Sequence, residues 1–174
     1  SSACLAGQIP QAILSGDIDA ACKAIEWHKR VFGDDYYLEV MHHRTQIEGL
    51  PQEAQADLDG VGARQQEANA KIFELAREMG VKVIATNDVH FIRKEDGPVH
   101  DRLICITTNA NINDEKRLRY TQQEYLKSEE EMSALFPGHP EVIANTIEVA
   151  DKVEAYSIDR GHVLPKFEID PAFL

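Results

Sequence analysis

The sequence has few cysteines and no long apolar run. Its 174 residues include three widely spaced cysteines, Cys4, Cys22 and Cys105. An odd number at such spacings argues against a disulfide framework and favours a reducing compartment, so we expect buried free thiols and a cytoplasmic protein. No apolar segment approaches the roughly 20 residues of a membrane-spanning helix, and the N-terminus lacks a basic segment followed by an apolar one. We therefore expect neither membrane contact nor a secretion signal.

Positive charge is also scarce. There are 18 lysines and arginines against 30 aspartates and glutamates, which gives a formal net charge of -12. A field of that sign repels a phosphate backbone, which argues against a broad surface for nucleic acid. A strand end could still be admitted at a metal centre, because a bound ion reverses the local field.

Several catalytic signatures are missing. The sequence shows no nucleophile-elbow serine, no glycine-rich phosphate loop and no run of paired carboxylates for two-metal nucleotidyl transfer. A polymerase active site is therefore excluded from this chain. What is present is an ordinary hydrophobic fraction of 43%, enough at this length for one domain with a sizeable core.

Two predicted strands flank a helix. The segment YYLEVM, Tyr36–Met41, is aromatic and branched, and VKVIAT, Val81–Thr86, is nearly all apolar, as expected of a strand buried on both faces. A helix over residues 63–79 separates them and ends at Gly80, while residues 44–62 are predicted to form a long loop, with a helical turn within it as the alternative. With a crossover helix between them, the strands should be parallel and their connection right-handed.

The remaining chain is predicted to be mainly helical. An early helix is capped by Asp17 and stopped by Gly33. Three more helices follow the second strand, in DGPVHDRLICITT, SEEEMSALF and PEVIANTIEVADKV. The second of these opens with a capping box, Ser128 and Glu131, and the third starts at Pro140.

Polar residues follow both predicted strands. His42 and His43 come after the first strand, and Asp88 and His90 after the second. In a parallel unit, the loops after the carboxyl ends of the strands form one rim, where active sites gather. If residues 87–90 stay extended, Asp88 and His90 point to the same side. One carboxylate and one imidazole in the same space suit a divalent transition metal.

Alternatives to a metal site remain open at this stage. Asp88 could instead cap the next helix or turn. If a metal is bound, Asn87 could orient one of its ligands by hydrogen bonding to that ligand. The basic segment DEKRLRY could meet a phosphate, but a solvated loop is the preferred interpretation of Lys116, Arg117 and Arg119.

Several segments, including SSACLAGQIPQAIL near the start, resemble a known family. The resemblance is to the PHP domain (polymerase and histidinol phosphatase) of bacterial DNA polymerase III alpha subunits. It is carried, in chain order, by VIATNDVHFIRKEDGPVHDRLICI, YLKSEEEMSALFP and PEVIANTIEVADKV. The Asn-Asp-Val-His text resembles the last metal-binding motif of that family, and YYLEVMHHR resembles the strand that delivers a histidine to the metals. The resemblance implies an α/β fold: part of a distorted (β/α)7 barrel of parallel strands with flanking helices and a mainly helical C-terminal part.

The resemblance also implies a set of metal ligands. They are His43, Asp88 and His90, with His42 as the alternative to His43 because of the double histidine, while Glu39 receives no metal role. The ions implied are divalent: zinc, manganese or magnesium. The family's first motif, a His-X-His, is absent from the sequence, so we expect this chain alone to bind metal weakly or not at all.

The missing motif bears on domain organisation. Residues 1–157 would form the C-terminal portion of a PHP domain, and residues 158–174 a linker toward a polymerase core that is absent from this chain. A barrel that lacks strands has open sheet edges and exposed apolar faces, so we expect the chain to associate with itself or to rearrange locally.

The function implied by the resemblance belongs to a larger protein. That protein is a DNA-directed DNA polymerase, a nucleotidyltransferase of DNA replication, whose partners are DNA, a proofreading exonuclease and a sliding clamp. Its PHP domain would be a metal-dependent 3′–5′ exonuclease, inactive in this fragment, or a non-catalytic module that docks a separate proofreading exonuclease. A free-standing phosphatase of the same superfamily is a further alternative, disfavoured by LKSEEEM and IANTIEVADKV, which resemble the polymerase branch.

Overall fold

Residues 1–159 and 161 are described by the structure, a computed structural model, and they form six α-helices and two β-strands. Most of the predicted linker over 158–174 lies outside the described residues. Short 3-10 turns lie at Gly33–Asp35 and Lys94–Asp96. The elements in chain order are α1 (Gln8–Leu14), α2 (Ile18–Phe32), β1 (Tyr37–Val40), α3 (Gln52–Met79), β2 (Lys82–Ala85), α4 (Gly97–Thr108), α5 (Glu129–Ser133) and α6 (Glu141–Asp151).

The two strands pair in parallel, as the sequence predicts. Tyr37 lies opposite Lys82 and Val40 opposite Ala85, with α3 between the strands in the chain. The α/β class is therefore confirmed. Within the described residues the sheet has two strands, and the seven-stranded barrel stays a prediction. The expectation that β2 is buried on both faces is wrong at Lys82, which is exposed and pairs with Glu148 of α6.

Helix α3 is longer than predicted. It begins at Gln52, so the prediction of a loop over residues 44–62 is wrong for residues 52–62. The apolar spacing of a helix already starts there, since Ala54 and Leu58 are buried in line with Ala68 further along. Gly62 is a packing residue and not a helix stop, because a Cβ atom there would lie 2.9 Å from Thr45 Cγ2.

The predicted starts of α2, α5 and α6 are confirmed, as is the end of α2, whereas α5 ends at Ser133 and does not extend through the predicted SEEEMSALF segment. Asp17 caps α2 by accepting a hydrogen bond from Ala20 N at 2.9 Å, and Gly33 takes a positive φ of 57° after its last turn. Ser128 and Glu131 form the capping box of α5. Pro140 lies immediately before α6. Helices α4, α5 and α6 follow β2 as predicted, but residues 109–128 form no helix in the described structure, so the chain after β2 is only partly helical.

The core lies between the sheet and helices α1, α2, α3 and α6. Burying a large aliphatic side chain contributes roughly 1.5–3 kcal/mol, so a few such residues dominate the stability of this core. Sequence reasoning did not predict α1, which supplies Ile9 to it. The largest fully buried side chains are Ile9, Ile25, Leu38, Ile72, Leu75, Val40 and Val142.

Two further features concern membrane-spanning helices and the burial of the three thiols. No helix in the described part of the chain combines the length and the apolar character that crossing a bilayer requires. Cys105 is buried, whereas Cys4 and Cys22 are half-buried, and all three are free thiols.

Candidate metal centre

The segments that follow the two strands leave the sheet at the same edge and contact each other. Because the strands are parallel, their carboxyl ends lie side by side, and Thr86 N donates to Val40 O at 3.1 Å. Three residues beyond β1, the Nε2 atom of His43 lies 3.2 Å from the backbone oxygen of Asn87. The predicted rim therefore exists, and His43 belongs to it.

His43 is buried, with polar partners around its ring. Its backbone N–H donates to Gln65 Oε1 at 2.9 Å, and its Nδ1 atom lies 3.2 Å from Gln65 Nε2. Glu124 Oε1 is 3.6 Å from the same Nδ1 atom. Burial lowers the pKa of His43 below its ordinary value, and the nearby Glu124 charge opposes that shift. The imidazole is thus held neutral near neutral pH, the state in which histidine binds metals.

Glu124 is a site residue that sequence reasoning missed. It is 2% exposed, and its Oε1 atom accepts hydrogen bonds from Thr121 N at 3.0 Å and Thr121 Oγ1 at 2.7 Å. Its Oε2 atom is buried without a hydrogen-bond partner among the described residues. Nothing in the local spacing around Glu124 distinguishes it, because the chain fold alone brings it to His43.

Asp88 and His90 form a second pair. Asp88 Oδ1 lies 3.6 Å from His90 Nε2. The premise that residues 87–90 are extended is wrong, since Asp88 has a positive φ of 46°, which aspartate tolerates better than most residues. Asp88 does not cap the next α-helix, because Asp96 occupies that position in front of α4. The His90 ring packs edge-on against Tyr120, with ring centroids 4.7 Å apart.

Asn87 holds a neighbouring segment against the rim. Its side-chain amide donates to the backbone oxygens of Gln123 and Tyr125, each at 2.7 Å. Lys127 Nζ donates in turn to Asn87 Oδ1 at 3.1 Å. Burial lowers the pKa of Lys127 to about 8. The amide therefore fixes residues 123–127 beside His43 and Asp88.

His42 and His43 differ in their surroundings. His43 and Asp88 line the same cavity of about 170 Å³, together with Glu124 and Tyr120, and His42 is not on that lining. The His42 ring instead lies edge-on to Phe136, with centroids 6.4 Å apart. This arrangement favours His43 over His42 as the candidate ligand. Glu39, which received no metal role, accepts hydrogen bonds from Ser1 Oγ and Ala3 N.

The donors do not make a complete metal site as they are placed. Imidazole and carboxylate groups suit a divalent transition metal. The geometry, however, gives two pairs, His43 with Glu124 and Asp88 with His90, and His90 is not on the lining of the shared cavity. Among the described residues, no group of three or more His, Cys, Asp or Glu side chains is arranged to hold an ion. The metal ligands therefore stay predictions.

The basic segment after α4 is not a solvated loop throughout. Arg117 donates two hydrogen bonds of 2.6 Å to the carboxylate of Asp101, and its side chain is 5% exposed. Arg119 donates to the backbone oxygens of Asp114 and Glu115. The interpretation is thus wrong for Arg117, since a carboxylate of α4 occupies its guanidinium.

Comparison with known proteins shows that the chain is similar to one segment of larger proteins. No family model matches it. It is 36% identical over 175 residues to the DNA polymerase III subunit alpha of Borreliella burgdorferi, an alignment that covers 99% of this chain and 14% of that protein. The chain matches one segment of DNA polymerase III alpha subunits. The corresponding protein of Treponema pallidum is 34% identical over 174 residues, covering 99% of this chain and 13% of the relative.

A third alpha subunit shows the same relationship. That of Thermus aquaticus is 34% identical over 153 residues, which is 86% of this chain and 11% of the relative. The predicted kinship with alpha subunits is confirmed by these matches. The narrower assignment to the PHP domain stays a prediction, since the chain spans only a small part of each alpha subunit that it matches.

Proposed function

We propose that this chain is a segment of the alpha subunit of a replicative, DNA-directed DNA polymerase, and that it forms the C-terminal portion of the PHP domain. The observation that carries the proposal is the match to alpha subunits along 99% of the chain. The parallel strand-helix-strand unit, with polar residues at both carboxyl ends, supports the domain assignment. The activity, the cytoplasmic location and the partners of the whole subunit, including DNA and a sliding clamp, are part of this proposal.

The site proposal concerns His43, Asp88 and His90. These residues contribute to a divalent metal centre, of zinc, manganese or magnesium, whose other ligands come from outside this chain. The activity assigned to the completed centre is 3′–5′ hydrolysis of DNA, for which such ions supply activated water and neutralise phosphate charge. The contact between His43 and Asn87 and the cavity shared by His43 and Asp88 support it. This chain alone is expected to bind metal weakly and to hydrolyse nothing.

The test uses the full alpha subunit that carries this segment. Replacing Asp88→Asn together with His90→Gln keeps the side chains similar in size and removes two of the proposed metal-binding groups. We expect the dialysed variant to lose bound metal and the rate of 3′ exonuclease digestion to fall at least about tenfold, with primer extension unchanged. The matched control is Asp57→Asn with His139→Gln, which line neither cavity. Wild-type exonuclease activity in the Asp88 and His90 variant would exclude the catalytic role.

A second candidate function, a docking module, is favoured by one face of α4. Val99, Leu103 and Ile106 recur at helical spacing and are 62%, 53% and 77% exposed. An unpartnered apolar helix face marks an interaction surface. In this alternative the segment has no catalytic role and docks a separate proofreading exonuclease. Replacing Leu103→Ser and Ile106→Ser in the full subunit should then abolish co-purification of that exonuclease, with the exposed pair Thr107→Ala and Thr108→Ala as the control.

A further inference from the structure

An open groove of about 720 Å³ lies beside the candidate metal centre. His43 borders both this groove and the cavity that holds Asp88. One wall comes from the loop after β1, through Arg44 and Gln46, and another from α3, through Gln66. Lys94, from the 3-10 turn before α4, lines the groove as well. Its place next to His43 makes this groove a route to the candidate centre.

The groove carries a local excess of positive charge in an acidic chain. Arg44 and Lys94 are exposed and form no ion pair within the part of the chain that the structure describes. Asp59 is the one carboxylate on the described lining. Against the overall charge of -12, two cations and one anion at this place give a positive site.

The carboxylate in the groove already has partners. Asp59 Oδ1 accepts hydrogen bonds from Thr45 Oγ1 at 2.6 Å, Gln46 Nε2 at 3.1 Å and Gln55 Nε2 at 2.9 Å. Within the described residues Asp59 forms no ion pair with Arg44 or Lys94. The guanidinium of Arg44 and the ammonium of Lys94 therefore stay available to an anion from outside.

A third cation lies close to this surface. The pKa of Lys127 is lowered to about 8, chiefly by burial; the charges of Glu124 and Glu131 oppose that shift, and the charge of Lys94 adds to it. Glu131 is near both lysines, and Lys127 is not on the groove lining, so the positive charge of the groove itself comes from Arg44 and Lys94.

We infer that the groove binds the phosphodiester backbone of single-stranded DNA, with Arg44 and Lys94 each contacting a phosphate. The inference rests on the proposed function, because it names how the strand would reach the candidate centre. Two cations suit a single strand better than a duplex, whose charge of one per roughly 1.7 Å meets the repulsion of the whole acidic chain. The neutral amides of Gln46, Gln66 and Gln123 also line the groove and supply further hydrogen-bond donors.

The test measures binding of a short fluorescein-labelled oligothymidylate to the 174-residue chain by fluorescence anisotropy at several salt concentrations. On single strands each phosphate contact contributes about -0.7 to the slope of log affinity against log salt, so two contacts predict a slope of about -1.4. Replacing Arg44→Gln and Lys94→Gln together should bring the slope close to zero and weaken binding about tenfold or more at low salt.

The control pair has the same charge change elsewhere. Lys23→Gln with Arg30→Gln alters α2, outside the groove, and should leave the slope unchanged. Circular dichroism and thermal melting show whether each variant folds. The single variants Arg44→Gln and Lys94→Gln, each lowering the slope by about 0.7, replace the double variant if it does not fold. The inference would be overturned if affinity and salt slope fell equally in the groove variants and the α2 control variants, or if they did not fall in the groove variants.

Competition with pyrophosphate tests whether the groove binds a DNA strand or a free phosphate compound. We expect it to displace the oligothymidylate only at far higher concentration per phosphate, whereas equal competition would overturn the assignment to a strand. The metal proposal is tested separately, by measuring the metal content of the full subunit that carries Asp88→Asn and His90→Gln. Oligothymidylate binding that depends on Arg44 and Lys94 supports the groove whichever way that measurement falls.

Discussion

The Nε2 atom of His43 lies 3.2 Å from the backbone oxygen of Asn87, and this contact joins the segment after β1 to the segment after β2. The same ring faces Gln65 of α3 and Glu124 through Nδ1. One buried imidazole therefore connects four parts of the chain that are distant in sequence. This position makes His43 important for stability whether or not it binds an ion.

The first prediction compares the two adjacent histidines. Replacing His43→Ala removes a buried ring together with its contacts to Gln65 Nε2 and Glu124 Oε1, so we expect a loss of about 2–4 kcal/mol in the free energy of unfolding. The matched variant His42→Ala alters a half-buried ring and should cost clearly less. Urea denaturation of both variants measures the difference, and an equal loss would contradict the contacts assigned to His43.

The second prediction concerns two glycines of α3. Gly60 has no atom within 4 Å of an added Cβ, so Gly60→Ala should stabilise the helix by about 0.5–1 kcal/mol. In Gly62→Ala the new Cβ would meet Thr45 Cγ2 at 2.9 Å, and we expect a net destabilisation. The variant Thr45→Ser removes that methyl group and keeps the hydroxyl that donates to Asp59. Gly62→Ala should therefore become stabilising in the Thr45→Ser background, and thermal melting of the four proteins tests this reversal.

The third prediction concerns the ion pair of Arg117 and Asp101. Its two hydrogen bonds of 2.6 Å are largely buried, so Arg117→Ala should lower the free energy of unfolding by about 2 kcal/mol. Lys71→Ala breaks a half-exposed pair with Glu74 within one helix and should have little effect. A double-mutant cycle with Asp101→Ala isolates the coupling, and a coupling near zero would contradict the pairing.

The fourth prediction is a pH dependence caused by Lys127. Burial lowers its pKa from 10.5 to about 8 in the folded chain, so the folded state binds fewer protons than the unfolded state between those values. The penalty for charging Lys127 is therefore present below about pH 8 and disappears as the pH rises toward 10.5. Relative to Lys127→Met, the wild-type chain should gain stability across this window. Denaturation series of wild type and Lys127→Met at several pH values measure it, and an unchanged stability difference between the two proteins from about pH 8 to 10.5 would contradict the lowered pKa of Lys127.

The sequence predicts the local features of this fold well. Asp17, Ser128 and Glu131 form caps whose partners lie within three residues, and both strands are recognisable from branched and apolar residues alone. The start of α3 is predicted wrongly because Gly60 and Gly62 resemble loop punctuation. Only the contact with Thr45 shows why a glycine is needed within that helix.

The candidate site likewise has a part that the sequence predicts and a part that it does not. His43 and Asp88 are predicted for the rim because parallel strands end together, which follows from topology. Glu124 and Lys127 arrive from a segment without a recognisable motif, and their nearness to His43 and Asn87 depends on the full chain fold. The left-handed backbone of Asp88 is also invisible in the sequence, since aspartate adopts it in only some contexts.

The hydrogen-bonded network around Asp59 has a consequence for how the groove can change. Thr45 and Asp59 are only 14 residues apart, and Gln55 between them donates both to Asp59 and to the backbone oxygen of Thr45. This wall is thus built from one short continuous stretch that includes neither strand. Substitutions within that stretch can reshape the groove while the sheet, and the positions of His43 and Asp88 beyond its edge, stay as they are.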